Sequence, residues 1–318
     1  MTTSSQHQTP TQTPASPDAL LKRLRAAGLA LRTTQTAFHQ TGLDFLVVHA
    51  VDDDGTPWIV RTPRRADVVA AAVGEARVLA LIADKVSARV PDWRVHDADV
   101  IAYPRLPGTP VLDLIEGVPQ WQFPLEAVPP PFVDDLARFL ASLQAIDADV
   151  ARAAGVVIVD SDAARAEQAR FIAETRALLQ PSDRLWARWQ RWLDDDRLWP
   201  STLALSHGDL HPGHWLVDDD QRLVGVLDWT EAKLGDPAVD FAMVYGCCGE
   251  ATLTTLLTRF AAHGGAATST LATHAKRRWS AMPTAGAAWA LRTGNDAVIE
   301  HVKAQLAVIE ANEALIDA

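Results

Sequence analysis

The stretch Leu205-Ser206-His207-Gly208-Asp209-Leu210-His211-Pro212-Gly213-His214 decides how this chain reads. Fourteen residues after His214 comes Asp228, within Leu227-Asp228-Trp229-Thr230-Glu231. Acids and histidines here sit in short loops between apolar runs. Residues 203–206 predict the end of a strand, and Trp215-Leu216-Val217 a short strand. Asp218-Asp219-Asp220 is a turn, and Val224-Gly225-Val226-Leu227 is a second strand that delivers Asp228. A loop followed by a hairpin places Asp209, His214 and Asp228 at one end of a small β unit.

That grouping suits phosphoryl transfer. The reaction needs a carboxylate that orients or deprotonates an attacking hydroxyl, and hard ligands for a magnesium ion bridging the phosphates. The protein-kinase order, H-R-D-x-x-x-x-N followed by D-F-G, is the same. His207-x-Asp209 and His214 occupy its first part, and Asp228 takes the place of the D-F-G aspartate. On these residues the chain resembles the aminoglycoside and macrolide phosphotransferases. His214, where asparagine is usual, and Asp228-Trp229-Thr230-Glu231-Ala232 are most similar to the macrolide 2′-phosphotransferase branch.

The resemblance implies roles for these residues. Asp209 is the catalytic group that accepts the hydroxyl proton, and His214 and Asp228 hold Mg2+, although imidazole is an unusual magnesium ligand. His207 braces the loop. Asp240, the second aspartate of a G-D-x-x-x-D pattern at Gly235-Asp236, is a structural anchor for it. His211 reads as a solvated loop residue.

Composition bounds the alternatives. The 318 residues are 48% hydrophobic and 22% charged, enough for one large core or two moderate ones. Twenty-nine basic against 40 acidic residues give a net charge of −11, which argues against a nucleic-acid groove or an anionic membrane partner. No run of eighteen apolar residues and no signal-peptide pattern is present, so a cytoplasmic protein is expected. Cys247 and Cys248 are adjacent and read as packing residues in a reducing compartment. The sequence holds no C-x-x-C, HExxH or Walker motif, so any nucleotide site is of the kinase type.

Along the chain, residues 1–15 read as a disordered polar tail. Ser16-Pro17-Asp18 starts a helix. Strands are expected at 30–38, 43–51, 58–61, 93–95 and 100–103, with a turn at Asp52-Asp53-Asp54-Gly55 and a helix over 66–83. The fold class implied is α+β and bilobal, protein-kinase-like. A small lobe with a five-stranded antiparallel sheet spans 16–104, and a larger, mainly helical lobe spans 105–318. In the small lobe Arg61 stands where kinases place a phosphate-binding lysine, with Arg64 and Arg65 competing for the role. Glu75 is either its paired acid or a surface glutamate. Ile101 and Tyr103, in the hinge-like Ile101-Ala102-Tyr103-Pro104-Arg105-Leu106-Pro107-Gly108, are assigned to nucleotide binding. No glycine-rich loop is present, and only Gly42 marks a cover over the phosphates.

From residue 109 the pattern is helical apart from the β unit, and nothing after Phe241 signals a sheet. Helices are expected at 132–146 and 163–179. Trp186, Trp189 and Trp192 form a core stripe. Tyr245, Trp279, Met282 and Trp289 are candidates for the acceptor site, with Met282 at a helix break. By resemblance the chain, a monomer, transfers the γ-phosphate of GTP or ATP to the 2′-hydroxyl of a macrolide's amino sugar and so confers macrolide resistance. The alternatives are a kinase of an aminoglycoside or another small hydroxylated metabolite, and a non-catalytic binding module. The aromatic C-terminal helices favour an apolar acceptor.

Overall fold

The computed structural model describes residues 16–33, 44–115 and 118–311. The chain forms two units. One runs to Ala80 and takes in Val90–Leu106; the other comprises Leu81–Arg89 and the chain from Pro107. The division is therefore not a single cut in sequence.

In the first unit, α1 (Pro17–Ala26) begins where the Ser16 hydroxyl accepts the Ala19 amide at 3.3 Å. Then come β1 (Arg32–Thr33), β2 (Phe45–Val51), β3 (Pro57–Pro63), α2 (Ala66–Ile82), β4 (Val95–His96) and β5 (Ile101–Pro104). The strands form one antiparallel sheet in the order β1-β2-β3-β5-β4. Strand periodicity splits its side chains between two faces. Val48, Ala50, Trp58, Val60 and Ala102 pack with Leu20 and Leu24 of α1, and Phe45, Ile101 and Tyr103 pack with Val68 and Ala72 of α2. The Asp52 carboxylate ties the β2–β3 turn, accepting from the Thr56 amide at 2.8 Å and the Trp58 indole at 3.0 Å. The strand expected at 30–38 is described only as Arg32–Thr33. Ala30 and Leu31 precede it as irregular chain, and residues 34–38, Gly42 and residues 1–15 lie outside the described residues.

The second unit departs from the expectation of a helical chain outside the small β unit. It opens with β6 (Thr109–Pro110), β7 (Leu112–Ile115) and β8 (Val118–Trp121), the last two an antiparallel hairpin. These strands carry proline at Pro110 and Pro119 and no clear alternation, so they leave little trace in sequence. Next come α3 (Pro130–Gln144), α4 (Ala148–Ala153), α5 (Ser161–Leu179) and α6 (Asp183–Leu193). They are followed by β9 (Ala204–Ser206), β10 (Trp215–Val217), β11 (Leu223–Val226) and β12 (Lys233–Gly235). β10 pairs with β11 and β6, and β9, at the strand end expected from sequence, pairs with β12, which no sequence pattern marked. Finally α7 (Ala238–Ala262), α8 (Leu271–Ala281), α9 (Pro283–Thr293) and α10 (Asp296–Ala311) complete the unit, with Met282 at the α8–α9 junction. Trp189 and Trp192 of α6 are fully buried against Ile172 of α5 and Val302, Leu306 and Ile309 of α10. α7 bends at Gly249, which adopts φ 78°. No helix among the described residues is long and apolar enough to cross a membrane.

Candidate active site

The loop after β9 hangs from one carboxylate. Asp240, in the first turn of α7, is fully buried and accepts the His207 and Gly208 amides, each at 2.9 Å. Burial pushes the Asp240 carboxyl up to about 6, although both amides favour its charged form. Gly208 sits at φ +88°, and a Cβ there would lie 2.4 Å from the Glu231 carbonyl oxygen. Both the backbone angle and the space require glycine.

His207 links this loop to the strand that delivers Asp228. Its Nε2 lies 2.8 Å from the Leu227 carbonyl. A carbonyl only accepts, so Nε2 carries the proton and Nδ1 accepts the Asp209 amide at 3.2 Å. Burial first, then neighbouring His214, pushes the His207 imidazole down to about 3. It is a neutral brace.

The same reasoning orients His214. Its Nδ1 donates to the Asp209 carbonyl at 2.9 Å, so the lone pair is on Nε2, which faces Asp228 Oδ2 at 3.8 Å. One imidazole lone pair and one carboxylate oxygen, too far apart to bond each other, fit a divalent cation held between them. Ligand atoms of Asp209, His211 and His214 also lie within 4.8 Å of one another. The hydrogen bonding argues against that trio as a metal site. His211 Nδ1 accepts the Gly213 amide at 3.0 Å, which uses its lone pair and leaves Nε2–H pointing towards Asp209 Oδ2 at 3.8 Å. His211 is thus a held loop residue rather than a freely solvated one. The side chains of Asp209 and Asp228 are 40% and 42% exposed, open to a substrate. Asp228 itself adopts φ 60°, an uncommon angle for a non-glycine residue.

In the first unit, Arg61 Nη1 lies 3.3 Å from Glu75 Oε1, and both side chains are buried. The Arg61 guanidinium also stands 3.7 Å from the centre of the Phe45 ring. Arg65 instead pairs with Asp44 and Asp67, and Arg64 turns to the Phe45 carbonyl. Of the three arginines, Arg61 therefore holds Glu75, which is a core residue rather than a surface one. Ile101 is fully buried opposite Arg61 in the sheet, and Tyr103 is buried opposite Ile59.

The acceptor candidates divide. Tyr245 is buried, and Trp279 lies across Gly246, where a Cβ would meet its ring at 2.2 Å. Met282 is partly buried, and Trp289 stays 40% exposed on α9. Two features escaped the sequence reading. The first is Cys247, on α7 with Asp240, whose thiol is pushed up to about 11 by burial first and then by the Asp209 charge. Its i+7 spacing from Asp240 on one helix is the signal that was available. The second is the β7–β8 hairpin, whose Leu114, Ile115, Val118 and Trp121 are all about half exposed. β7 runs beside the turn Pro212–His214, where a Cβ on Gly213 would lie 3.6 Å from the Leu112 carbonyl.

His207 and Asp240 titrate in opposite senses, which makes a stability prediction. The folded His207 pKa of about 3 lies below its ordinary 6.5, so its contribution is present above pH 6.5 and lost as pH falls towards 3. The folded Asp240 pKa of about 6 lies above its ordinary 3.8, so its contribution is present below pH 3.8 and lost as pH rises through 6. Between those limits the two nearly cancel. In His207→Gln the Asp240 effect stands alone. Relative to wild type, the variant gains about 1 kcal/mol per unit as pH falls from about 6 to about 4, read by urea unfolding. A flat difference across that range contradicts the assignment.

Fold and site together define a kinase-like phosphotransferase, and comparison with known proteins agrees. Residues 35–303 match the model of the phosphotransferase enzyme family, and the chain belongs to that family. It is similar to the macrolide 2′-phosphotransferase MphH from Brachybacterium faecium: 36% identity, TM-score 0.82, 91% of this chain and 97% of that one. A type I macrolide 2′-phosphotransferase matches with 36% identity and TM-score 0.81, over 93% of this chain and 99% of the other. The uncharacterised protein YcbJ of Bacillus subtilis (strain 168) is 38% identical over 284 residues, 89% of this chain and 92% of its own. The chain is thus a phosphotransferase acting on a hydroxyl group, with the bilobal α+β fold of the protein kinases.

Proposed function

We propose that the protein transfers the γ-phosphate of GTP, or alternatively ATP, to the 2′-hydroxyl of the amino sugar of a macrolide. In this reading it is a monomeric cytoplasmic enzyme that confers macrolide resistance. The observation that carries the reading is the 36% identity to two macrolide 2′-phosphotransferases over nine-tenths or more of each chain. The exposed apolar hairpin beside the Asp209 loop supports an acceptor with a large apolar body.

Asp209 Oδ2 accepts the proton of the acceptor hydroxyl as that oxygen bonds to the γ-phosphorus. The bond from the γ-phosphorus to the β–γ bridging oxygen breaks, and the nucleoside diphosphate leaves. His207 holds the Asp209 amide and Asp240 holds the His207 and Gly208 amides before it, neither moving a proton. His214 Nε2 and Asp228 hold Mg2+, which when bound neutralises phosphate charge. Arg61, fixed by Glu75, supplies positive charge to the nucleotide phosphates. Backbone groups of the strand end at Ile101 and Tyr103 meet the edge of the base, and Tyr245, Trp279, Met282 and Trp289 contribute to the acceptor wall.

The test is an acceptor panel. Purified protein with magnesium and GTP or ATP is expected to add one phosphoryl group to erythromycin, detected by mass, and none to kanamycin. Phosphorylation of kanamycin alone, or of neither while nucleotide binds, sinks the macrolide assignment.

A further inference from the structure

The second unit contains a cavity of about 570 Å³ whose lining includes none of His207, Asp209, His214 or Asp228. That volume lies within the usual range for small-molecule sites. Its buried floor is Ala141, Leu198, Trp199, Leu271, Asp236 and His274. The floor carries charge but offers none to a ligand. Asp236 Oδ2 accepts from His274 Nε2 at 2.8 Å and from Arg278 at 2.9 Å, and Oδ1 accepts the Ala238 amide at 2.9 Å. His274 Nδ1 accepts the Trp192 indole N–H at 3.0 Å, so both its nitrogens are engaged. At the mouth, Asp196 is bonded to Arg165, and Arg197 to Asp195. The remaining polar lining is uncharged, with Gln144, Thr202 and Thr268 among it. A charged ligand would lose its hydration with no free countercharge to meet it. A neutral one gains apolar contact with Trp199, Leu198 and Leu271 and hydrogen bonds at the rim.

The cavity wall also reaches both supports of the catalytic loop. Ala204 begins β9, whose last residue, Ser206, precedes His207. Asp236 and Pro237 lead into α7, which carries Asp240, the acceptor of the His207 and Gly208 amides. Ala204 and Gly235 face each other across the β9–β12 pair. A molecule in the cavity therefore touches the start of each arm from which the loop hangs.

We propose that this cavity is a second small-molecule site, for a neutral, largely apolar ligand bearing a hydroxyl or carbonyl group, and that its occupancy adjusts the loop carrying Asp209. Two-site coupling of this kind requires that the ligand bind one loop arrangement better than another.

The probe is 2-naphthylmethanol, a neutral two-ring alcohol, followed by saturation-transfer NMR. Wild type is compared with Ala145→Trp, a change at the exposed rim where α3 ends, which leaves the core packing alone. The wild type is expected to transfer saturation to the probe, with affinity about tenfold weaker in Ala145→Trp. Adding GDP and erythromycin together leaves the signal intact. The probe is also expected to change the wild-type turnover of nucleotide by about fivefold, in either direction, with Ala145→Trp unresponsive. Equal binding by both proteins, no binding by the wild type, displacement by GDP or erythromycin, or binding without a rate change overturns the proposal. Probe density against Trp199 in a wild-type crystal reads the location without any variant, and density elsewhere overturns it as well. The binding arm needs no turnover, so a wrong acceptor assignment shows in the product assay and not here.

Discussion

Asp209→Asn is expected to lower phosphotransfer by about a hundredfold to ten-thousandfold, the range supplied by a positioned general base. The asparagine keeps the shape of the side chain and loses its ability to take the hydroxyl proton. The loop is expected to stay in place, because its anchors are backbone groups. The Asp209 amide donates to His207 Nδ1, and its carbonyl accepts from His214 Nδ1. The carboxylate itself is 40% exposed, with its ion-pair neighbours no nearer than 3.8 Å. Steady-state kinetics and thermal unfolding measured together check this. The expected pattern is a collapse of kcat, a nucleotide KM close to wild type and an unchanged Tm. A variant that keeps more than about a tenth of the wild-type rate removes Asp209 from the role.

Gly208→Ala is expected to lose both stability and activity. Alanine at φ +88° is strained, and its Cβ would sit 2.4 Å from the Glu231 carbonyl oxygen, a distance that forces the backbone to move. That movement pulls on the Gly208 amide that Asp240 accepts, so Asp209 shifts with it. Together the strain and the displaced hydrogen bond amount to about 2–4 kcal/mol, measurable by urea unfolding. A displacement of about 1 Å at Asp209 accounts for a further loss of about a hundredfold in rate. Gly55→Ala is the control. Gly55 has φ +84° but nothing within 4 Å of its absent Cβ. It is expected to lose only about 1 kcal/mol of conformational strain and no activity. Equal behaviour of the two variants contradicts the close approach of Gly208 to Glu231.

The parts of this molecule that were legible in sequence are those set by short local patterns. The order His207, Asp209, His214, Asp228 is compressed into a few turns, and its residue types are scarce enough to carry meaning. The alternation along β2 and β3 is long enough to place them in a sheet with α2 on one face. What stayed hidden depends on pairing between distant segments. β12 is three residues long and exists because β9 lies beside it. The β7–β8 hairpin faces outward, so burial leaves no period in it. Sequence also names a histidine without saying which nitrogen is occupied. Only the carbonyl of Asp209 against His214, and the amide of Gly213 against His211, separate a cation ligand from a loop brace. The choice among Arg61, Arg64 and Arg65 likewise rests on which of them reaches Glu75.

The most direct test of the account is the position of the phosphate on erythromycin after incubation with the purified protein, magnesium and GTP, read by phosphorus–proton NMR. A phosphate coupled to the proton on the 2′ carbon of the amino sugar, formed by the wild type and absent with Asp209→Asn, is the expected result. A phosphate on another hydroxyl, or equal product from the variant, contradicts the central claim.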